Sequence, residues 1–378
     1  MTRTKEETPR RTVLIQLVGK QTIPNMLPVL MLKPDAVYNI FTSDTEACGK
    51  ILTRWVKRRF KGKVQAMMQK LREGNLYAAT RRLCQKLEAN HPGDQLVYNM
   101  TGGTKLMALA AYQAGVRSDS PVLYVDFGSA KDYESMLYWV HGEGSAYVKG
   151  VMGTRPFERP GIVDILEVGS QPLDHKSIQD WHAMVPAAKA VQKHADKYHT
   201  AGPGSDLKKL RRVVASDAAL ARSFKAAGCE FRTDGGAEKL NDIFLTGGWW
   251  EVLTADYLER TGNYREVLCS VKTTISAECN DVAEVDVLAT DGMTLTSVSC
   301  KRHIKSPDSE INKHAARSMK LGGVNVKCGV AVYEGTPASF ERLCMFARAQ
   351  GFMCLLGHEV CPGKPAPAPP APAQKKKK

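Results

Sequence analysis

Over the first 130 residues, apolar runs of strand length alternate with longer helical stretches, and that alternation restricts the fold more than any other feature of the 378-residue chain. The runs are 13–18 (VLIQLV), 36–41 (AVYNIF), 95–99 (QLVYN) and 121–127 (PVLYVDF), with helical patterns notably over 45–73 and 104–115. Strands alternating with helices predict a parallel, doubly wound α/β sheet. Such a sheet takes its ligands beyond the carboxyl ends of the strands, at the switch point. The loops to watch are therefore 19–25 (GKQTIPN), 42–45 (TSDT) and 100–105 (MTGGTK).

The chain is long enough for two cores. Its 43% hydrophobic and 24% charged residues exclude wholesale disorder and any fibrous class. The longest apolar runs, such as 13–18 and 328–333, are too short to span a bilayer, and the first eleven residues hold no apolar stretch, so no membrane partner and a cytoplasmic location are expected. The net charge of +14 favours a polyanionic partner. Five of the cations sit in 362–378 (PGKPAPAPPAPAQKKKK), read as a disordered appendage. The ten cysteines form no CxxC pair and the histidines no HxH or HExxH spacing, so neither points to a zinc or redox site. Cys269, Cys300, Cys328 and Cys354 sit in strand-like runs and are read as buried, inert thiols.

Beyond 130 the pattern predicts a strand-rich stretch over 133–168, then a charged helical stretch over 175–226 broken by Gly-Pro-Gly at 202–204. From 247 it restarts as a helix at 247–260, three strands, a helix at 308–321, a strand at 328–333 and a helix at 337–350. This order, α-β-β-β-α-β, describes a compact α/β domain. The expected division is a first domain over 1–170, a helical linker over 171–235, a second domain over 236–361 and the tail over 362–378. Basic clusters at 54–63 and 208–212 are read either as nucleic-acid backbone contacts or as solvated helix faces.

Residues 99–106 (NMTGGTKL) follow a strand and open a helix. Glycines let a ligand approach the backbone, and a helix N-terminus offers free N–H donors and a positive dipole end. With Thr101, Thr104 and Lys105 alongside, the segment is either an anion site or a Gly-rich helix start with no ligand; the P-loop spacing is absent. Together with LIQLVGKQTIPNMLPVL it resembles the ligand-binding domain of CARF-family CRISPR ancillary proteins over most of 12–130. That resemblance implies a Rossmann-like homodimer that binds a cyclic oligoadenylate, chiefly cyclic tetra-adenylate. Gly19, Gln21, Pro24 and Asn25 would form its first loop, Thr42 and Thr45 its second, and Thr101, Gly102, Gly103, Thr104 and Lys105 its phosphate and ribose contacts.

In the second domain, 282–303 (VAEVDVLATDGMTLTSVSCKRH) reads as a β-hairpin around Asp291-Gly292. A two-residue turn would set Glu284 opposite Ser299 and Asp286 opposite Ser297. Strand alternation then brings Glu284, Asp286, Ser299 and Lys301 to one face and Val285, Val287, Val298 and Cys300 to the other. Carboxylates beside a lysine suit metal-dependent phosphodiester hydrolysis. The pattern resembles the PD-(D/E)xK nuclease superfamily, with Asp286 and Lys301 in the motif and Glu251 of GGWWE (247–251) as a further acid. Where that family carries an acid two residues before the lysine, this chain has Ser299, and the expected register offers Glu284 as its replacement. The resemblance implies a restriction-endonuclease-like α/β domain whose Glu251, Glu284 and Asp286 hold Mn²⁺ or Mg²⁺ beside a catalytic Lys301. The chain would be an activated nuclease of type III CRISPR defence, cleaving DNA, RNA or both with little sequence specificity. Two alternatives stand: a sensor whose second domain has lost catalysis and binds nucleic acid or a partner, and a first domain that cleaves its own ligand, for which no general base is evident.

Overall fold

The computed structural model describes residues 10–72, 74–126, 137–154, 158–169, 181–195, 218, 222, 244–276, 281–292, 294–304, 306–322, 326–362 and 364. They belong to two units, Met1–Gln171 and Pro172–Lys378. Among the described residues no helix is long and apolar enough to cross a membrane.

The first unit runs β1 (Thr12–Leu17), α1 (Ile23–Leu32), β2 (Ala36–Phe41), a 3₁₀ turn (Ser43–Thr45), α2 (Glu46–Arg59), β3 (Gln65–Lys70), α3 (Leu76–Asn90), β4 (Gln95–Asn99), α4 (Lys105–Arg117), β5 (Val122–Val125), β6 (Leu137–His141), α5 (Ala146–Thr154) and α6 (Ile162–Val168). Its sheet has the order β3-β2-β1-β4-β5-β6, parallel except for β6, a Rossmann-like arrangement that reverses direction between β1 and β4. β1 is apolar and buried on both faces, as a central parallel strand must be. The elements differ from expectation in two places. The helical pattern over 45–73 contains β3, whose sequence QAMMQK favours helix but forms a half-exposed edge strand parallel to β2. The stretch 133–168 holds the single strand β6 and then α5 and α6 among its described residues, because SAYVKG and IVDILEV carry helical spacing.

The second unit runs α7 (Trp181–Ala195), a π turn (Phe244–Gly248), α8 (Trp249–Arg260), β7 (Glu266–Ser276), β8 (Asp281–Thr290), β9 (Leu295–His303), α9 (Pro307–Gly322), β10 (Val326–Glu334), α10 (Pro337–Ala349), β11 (Met353–Leu356) and α11 (Gly357–Val360). Its sheet order is β11-β10-β9-β8-β7, antiparallel across β7-β8-β9 and parallel across β9-β10-β11. One face packs under α7 and α8 through Trp181, Trp249, Trp250, Val287, Val298 and Tyr333. The other packs Val330 and Val332 against Ile311 of α9 and Phe340 and Leu343 of α10. Trp250 also donates from Nε1 to the Ala331 carbonyl at 3.1 Å, which fixes α8 on the sheet. Truncating such a buried tryptophan costs about 3–5 kcal/mol. The α7 segment, expected inside a linker, instead joins this core, with Trp181 Nε1 donating to the Val267 carbonyl at 3.0 Å. The cluster at 208–212 and nearly all of the tail lie outside the described residues.

Candidate functional site

In the first unit the loops after β1 and β4 meet at the switch point. A Cβ on Gly19 would lie 3.4 Å from the Gly103 amide nitrogen, and one on Gly102 would lie 2.0 Å from the Leu17 carbonyl oxygen. Only glycine fits at 102, so the β4 loop rests backbone on backbone against the end of β1. Gly103 has φ +74, the left-handed conformation that turns the chain into α4. Thr104 is the N-cap of α4, accepting from the Met107 amide at 3.3 Å, and Lys105 is its first residue. A helix's first turn leaves four amides without a carbonyl partner, and here the Thr104 hydroxyl takes that of Met107.

Several predicted side chains are already engaged. The Asn25 amide donates to the Leu17 carbonyl at 2.7 Å, while its buried Oδ1 has no partner. The Thr101 hydroxyl donates to Asn99 Oδ1 at 2.7 Å and accepts from the Val125 amide at 2.7 Å. Asn99, unflagged in the sequence, also donates to the Pro24 carbonyl at 3.1 Å and so ties α1 to β4. Thr45 accepts from the Thr42 amide at 3.1 Å within the loop after β2. Gln21, Gly103, Thr104 and Lys105 remain exposed. They are the exposed part of this loop cluster, beside the fixed hydrogen bonds of Asn25, Asn99 and Thr101. In the basic cluster at 54–63, Arg58 pairs with Glu167, and Arg59 with Glu158 and Asp164, so part of its charge is used internally.

In the second unit, Asp286 Oδ2 accepts from the Cys300 amide at 2.6 Å, the Ser299 hydroxyl at 3.3 Å and Lys301 Nζ at 3.4 Å. Glu251, on α8, accepts from the Ser270 hydroxyl at 2.7 Å. Ser270 has φ +50 within β7, between the paired residues Cys269↔Val287 and Val271↔Val285 and so level with Asp286. A non-glycine residue in that region is strained by roughly 1–2 kcal/mol. No sequence signal marks Ser270, which sits in an ordinary apolar run. Burial pushes the Glu251 carboxyl up to about 7, helped by the negative charge of Asp286 and more weakly by Glu284, against the pull of the Ser270 hydroxyl and Lys301. Burial likewise pushes the Cys269 and Cys300 thiols well up, with the neighbouring carboxylates adding to it, which favours the unreactive thiol form.

The hairpin register differs from expectation. Pairing runs Thr290↔Leu295, Ala289↔Thr296, Leu288↔Ser297 and Val287↔Val298, around a four-residue loop. Asp291 closes that loop by accepting from the Thr294 amide at 2.7 Å and its hydroxyl at 3.1 Å, while Gly292 takes φ +87. Continued, this register sets Asp286 level with Ser299 and Glu284 level with Lys301. The proposed pairing of Glu284 with Ser299 is therefore wrong. Because the slip is even, the faces are kept: Val287, Val298 and Cys300 join the α8 core, and Glu284, Asp286, Ser299 and Lys301 line a common cleft.

Among the described residues, no three His, Cys, Asp or Glu side chains converge as a ready-made metal cluster. Glu251 and Asp286 are nonetheless hard oxygen donors whose mutual repulsion a cation would relieve. A Mg²⁺-like ion is commonly held by one or two carboxylates together with water. The pair fits that mode of binding.

Residues 13–141 match the family model of the Card1 CARF domain. Among solved structures, the chain resembles protein VC1899 from Vibrio cholerae, 14% identical with a TM-score of 0.65, over 92% of this chain and 95% of that one. It also resembles Can2 from Sulfobacillus thermosulfidooxidans, solved in complex with cyclic tetra-adenylate, at 17% identity and a TM-score of 0.60 over 91% and 95% of the two chains. A type III CRISPR defence DNA nuclease activated by cyclic oligoadenylate aligns at 18% identity and a TM-score of 0.54, over 87% of this chain and 47% of that one. At these identities the likeness is one of fold. No curated protein matches the chain in sequence.

Proposed function

We propose that the first unit senses a cyclic oligoadenylate, with cyclic tetra-adenylate as the first candidate, and that its binding switches on phosphodiester hydrolysis in a PD-(D/E)xK-like second unit. The observation that carries the nuclease reading is the juxtaposition of half-buried Glu251 with Asp286, itself bonded to Lys301, in a chain whose residues 13–141 match a CARF domain. The sensor reading rests on the β1/β4 switch point, where exposed Thr104 and Lys105 open α4 beside Gly19 and Gly103. Helix amides, a hydroxyl and an ammonium there suit a cyclic phosphodiester. Beyond them, α4 exposes Leu106, Leu109 and Val116, at 55%, 46% and 42%. An apolar stripe beside a ligand pocket supports an isologous dimer around a two-fold ligand.

In the proposed reaction a water attacks phosphorus and one P–O bond of the strand breaks. Glu251 and Asp286 would hold Mg²⁺ or Mn²⁺, with Glu284 the second carboxylate lining the cleft beside Asp286, and the bound cation would supply charge to the phosphate and acidity to its water. Asp286 holds Lys301 by an ion pair, aiming its ammonium at the phosphate oxygens that gain charge. Substrate is nucleic acid, DNA or RNA, read through its backbone.

The test is cleavage of supercoiled plasmid and of single-stranded RNA with Mn²⁺ or Mg²⁺, with and without cyclic tetra-adenylate. Activity with neither polymer would remove the nuclease reading. Ser299 favours a second reading, a sensor whose second unit binds nucleic acid without cutting it. Ligand-dependent binding with no cleavage by the metal-loaded protein is the result that selects it.

A further inference from the structure

The cleft over β8 and β9 has a cationic end that the carboxylate chemistry does not use. It is bounded by Glu284, Asp286, Ser297, Ser299 and Lys301 from the sheet and by His314 and Arg317 from α9. Asp286 engages both the Ser299 hydroxyl and Lys301. At the other end, the Ser297 side chain is 1% exposed and its hydroxyl has no hydrogen-bond partner. A buried hydroxyl without a partner is costly, so its persistence in the wall of a cleft needs an explanation. Arg317 is exposed at the mouth and has no ion pair or hydrogen bond among the described residues.

The helix that presents Arg317 is firmly set. His314, Arg317 and Leu321 share one face by their three- and four-residue spacing. A His314 ring nitrogen lies 2.8 Å from the Ser297 carbonyl oxygen, and its ring meets Phe352 edge-on at 6.0 Å. Leu321, 2% exposed, is buried one turn on. An exposed guanidinium on a fixed helix and an unpartnered hydroxyl lining the same cleft suit a phosphate, since arginine binds phosphate oxygens in a planar, bidentate way. Ser297 and Ser299 are two residues apart on one face, about 6.6 Å. A phosphate at Ser297 would thus neighbour the one beside Asp286.

Resting on the nuclease reading above, we infer that Arg317 and Ser297 form a second phosphate subsite, which grips the backbone of the nucleic-acid strand one step from the phosphate being cut. Arg317 is here a binding residue and takes no part in bond breaking. The subsite acts on strand affinity and position.

The experiment uses the full chain with cyclic tetra-adenylate and Mn²⁺, and compares wild type, Arg317→Met, Arg317→Lys and Ser297→Ala on fluorescent single-stranded DNA and RNA. Arg317→Met should raise KM about tenfold with kcat nearly unchanged. It should also flatten the dependence of log affinity on log salt by about 0.7–0.9, the share of one phosphate contact. Arg317→Lys should fall between, keeping the charge and losing the fork. Ser297→Ala should raise KM while leaving the melting temperature unchanged or higher, because it removes an unpartnered hydroxyl. An active wild type beside an Arg317→Met protein with the same KM and salt slope overturns the subsite and spares the nuclease reading. A Ser297→Ala protein that melts lower with an unchanged KM also overturns it, since the hydroxyl would then be structural. A wild type that neither binds nor cuts removes both readings together.

Discussion

Glu251 makes the most demanding prediction, because its cost to the fold changes with pH in a direction that can be worked out beforehand. Its carboxyl is pushed from an ordinary 4.5 up to about 7, chiefly by burial beneath α8 and then by the charge of Asp286. Between those two values the folded protein keeps a proton that the unfolded chain has already released. Stability must therefore fall as pH rises through that window, and level off above it. At about 1.4 kcal/mol per pH step, the full loss is about 3 kcal/mol. Glu251→Gln holds no such proton, so its stability relative to wild type should grow by up to that amount between pH 4 and pH 8. The assay is urea unfolding of metal-free protein followed by tryptophan fluorescence, in which Trp181, Trp249 and Trp250 report the second unit and Trp55 and Trp139 the first. Adding Mg²⁺ at pH 8 should narrow the gap, because a cation on the carboxylates stabilises the ionised wild type and has less to hold in the variant. A difference between the two proteins that stays constant from pH 4 to pH 8 would refute the buried, repelled carboxyl at 251.

Lys105→Ala removes a charge-assisted bond of about 1.5–3 kcal/mol and should weaken cyclic tetra-adenylate binding about ten- to a hundredfold by calorimetry; unchanged affinity would move the pocket elsewhere. Gly102→Ala places a Cβ 2.0 Å from the Leu17 carbonyl oxygen and should cost the first unit about 1–3 kcal/mol and abolish ligand binding. Full affinity in that variant would mean the two loops do not meet as described. Asp286→Asn should abolish ligand-activated cleavage, whereas Ser299→Ala, which loses only a 3.3 Å hydrogen bond to Asp286, should retain it. Cleavage surviving Asp286→Asn would take the cation site away from this cleft. Glu284→Gln should lower activity less than Asp286→Asn, since Glu284 is exposed and level with Lys301 rather than Ser299; equal losses would restore Glu284 to the centre of the site.

The strands and loops that build the sensor sheet are legible because burial on both faces leaves unmistakable apolar runs at β1, β2 and β4. β3 was hidden because an edge strand needs no such run: Gln65, Met68 and Lys70 are exposed, only Met67 packs on the core, and its pairing comes from β2. The hairpin shows what period two can and cannot settle. Alternation assigns the faces of Asp286 and Lys301 whatever the turn, but register depends on the loop. Here Asp291 and Thr290 use their side chains to close four residues instead of two. Glu251 could be placed by its Trp-Trp-Glu context, while Ser270, Ser297 and Arg317 could not. Their roles come from a strained backbone, an unpartnered hydroxyl and a helix crossing, none of which has a linear signature.

The corrected register also changes what the serine at 299 means. Had Glu284 stood opposite it, the site would carry three acids and be able to bind a cation before substrate arrives. With Asp286 level with Ser299, the two best-placed acids are Glu251 and Asp286, and the ammonium of Lys301 is already paired with one of them. Fewer carboxylates mean weaker attraction for a divalent ion before a strand arrives, but also less repulsion of an incoming phosphodiester. Mg²⁺ sites with few protein ligands are completed by water and by substrate phosphate oxygens. The proposed site therefore favours binding of cation and strand together, each supplying charge the other lacks. A second phosphate grip at Arg317 suits such a site, because it holds the strand through a contact independent of the cation.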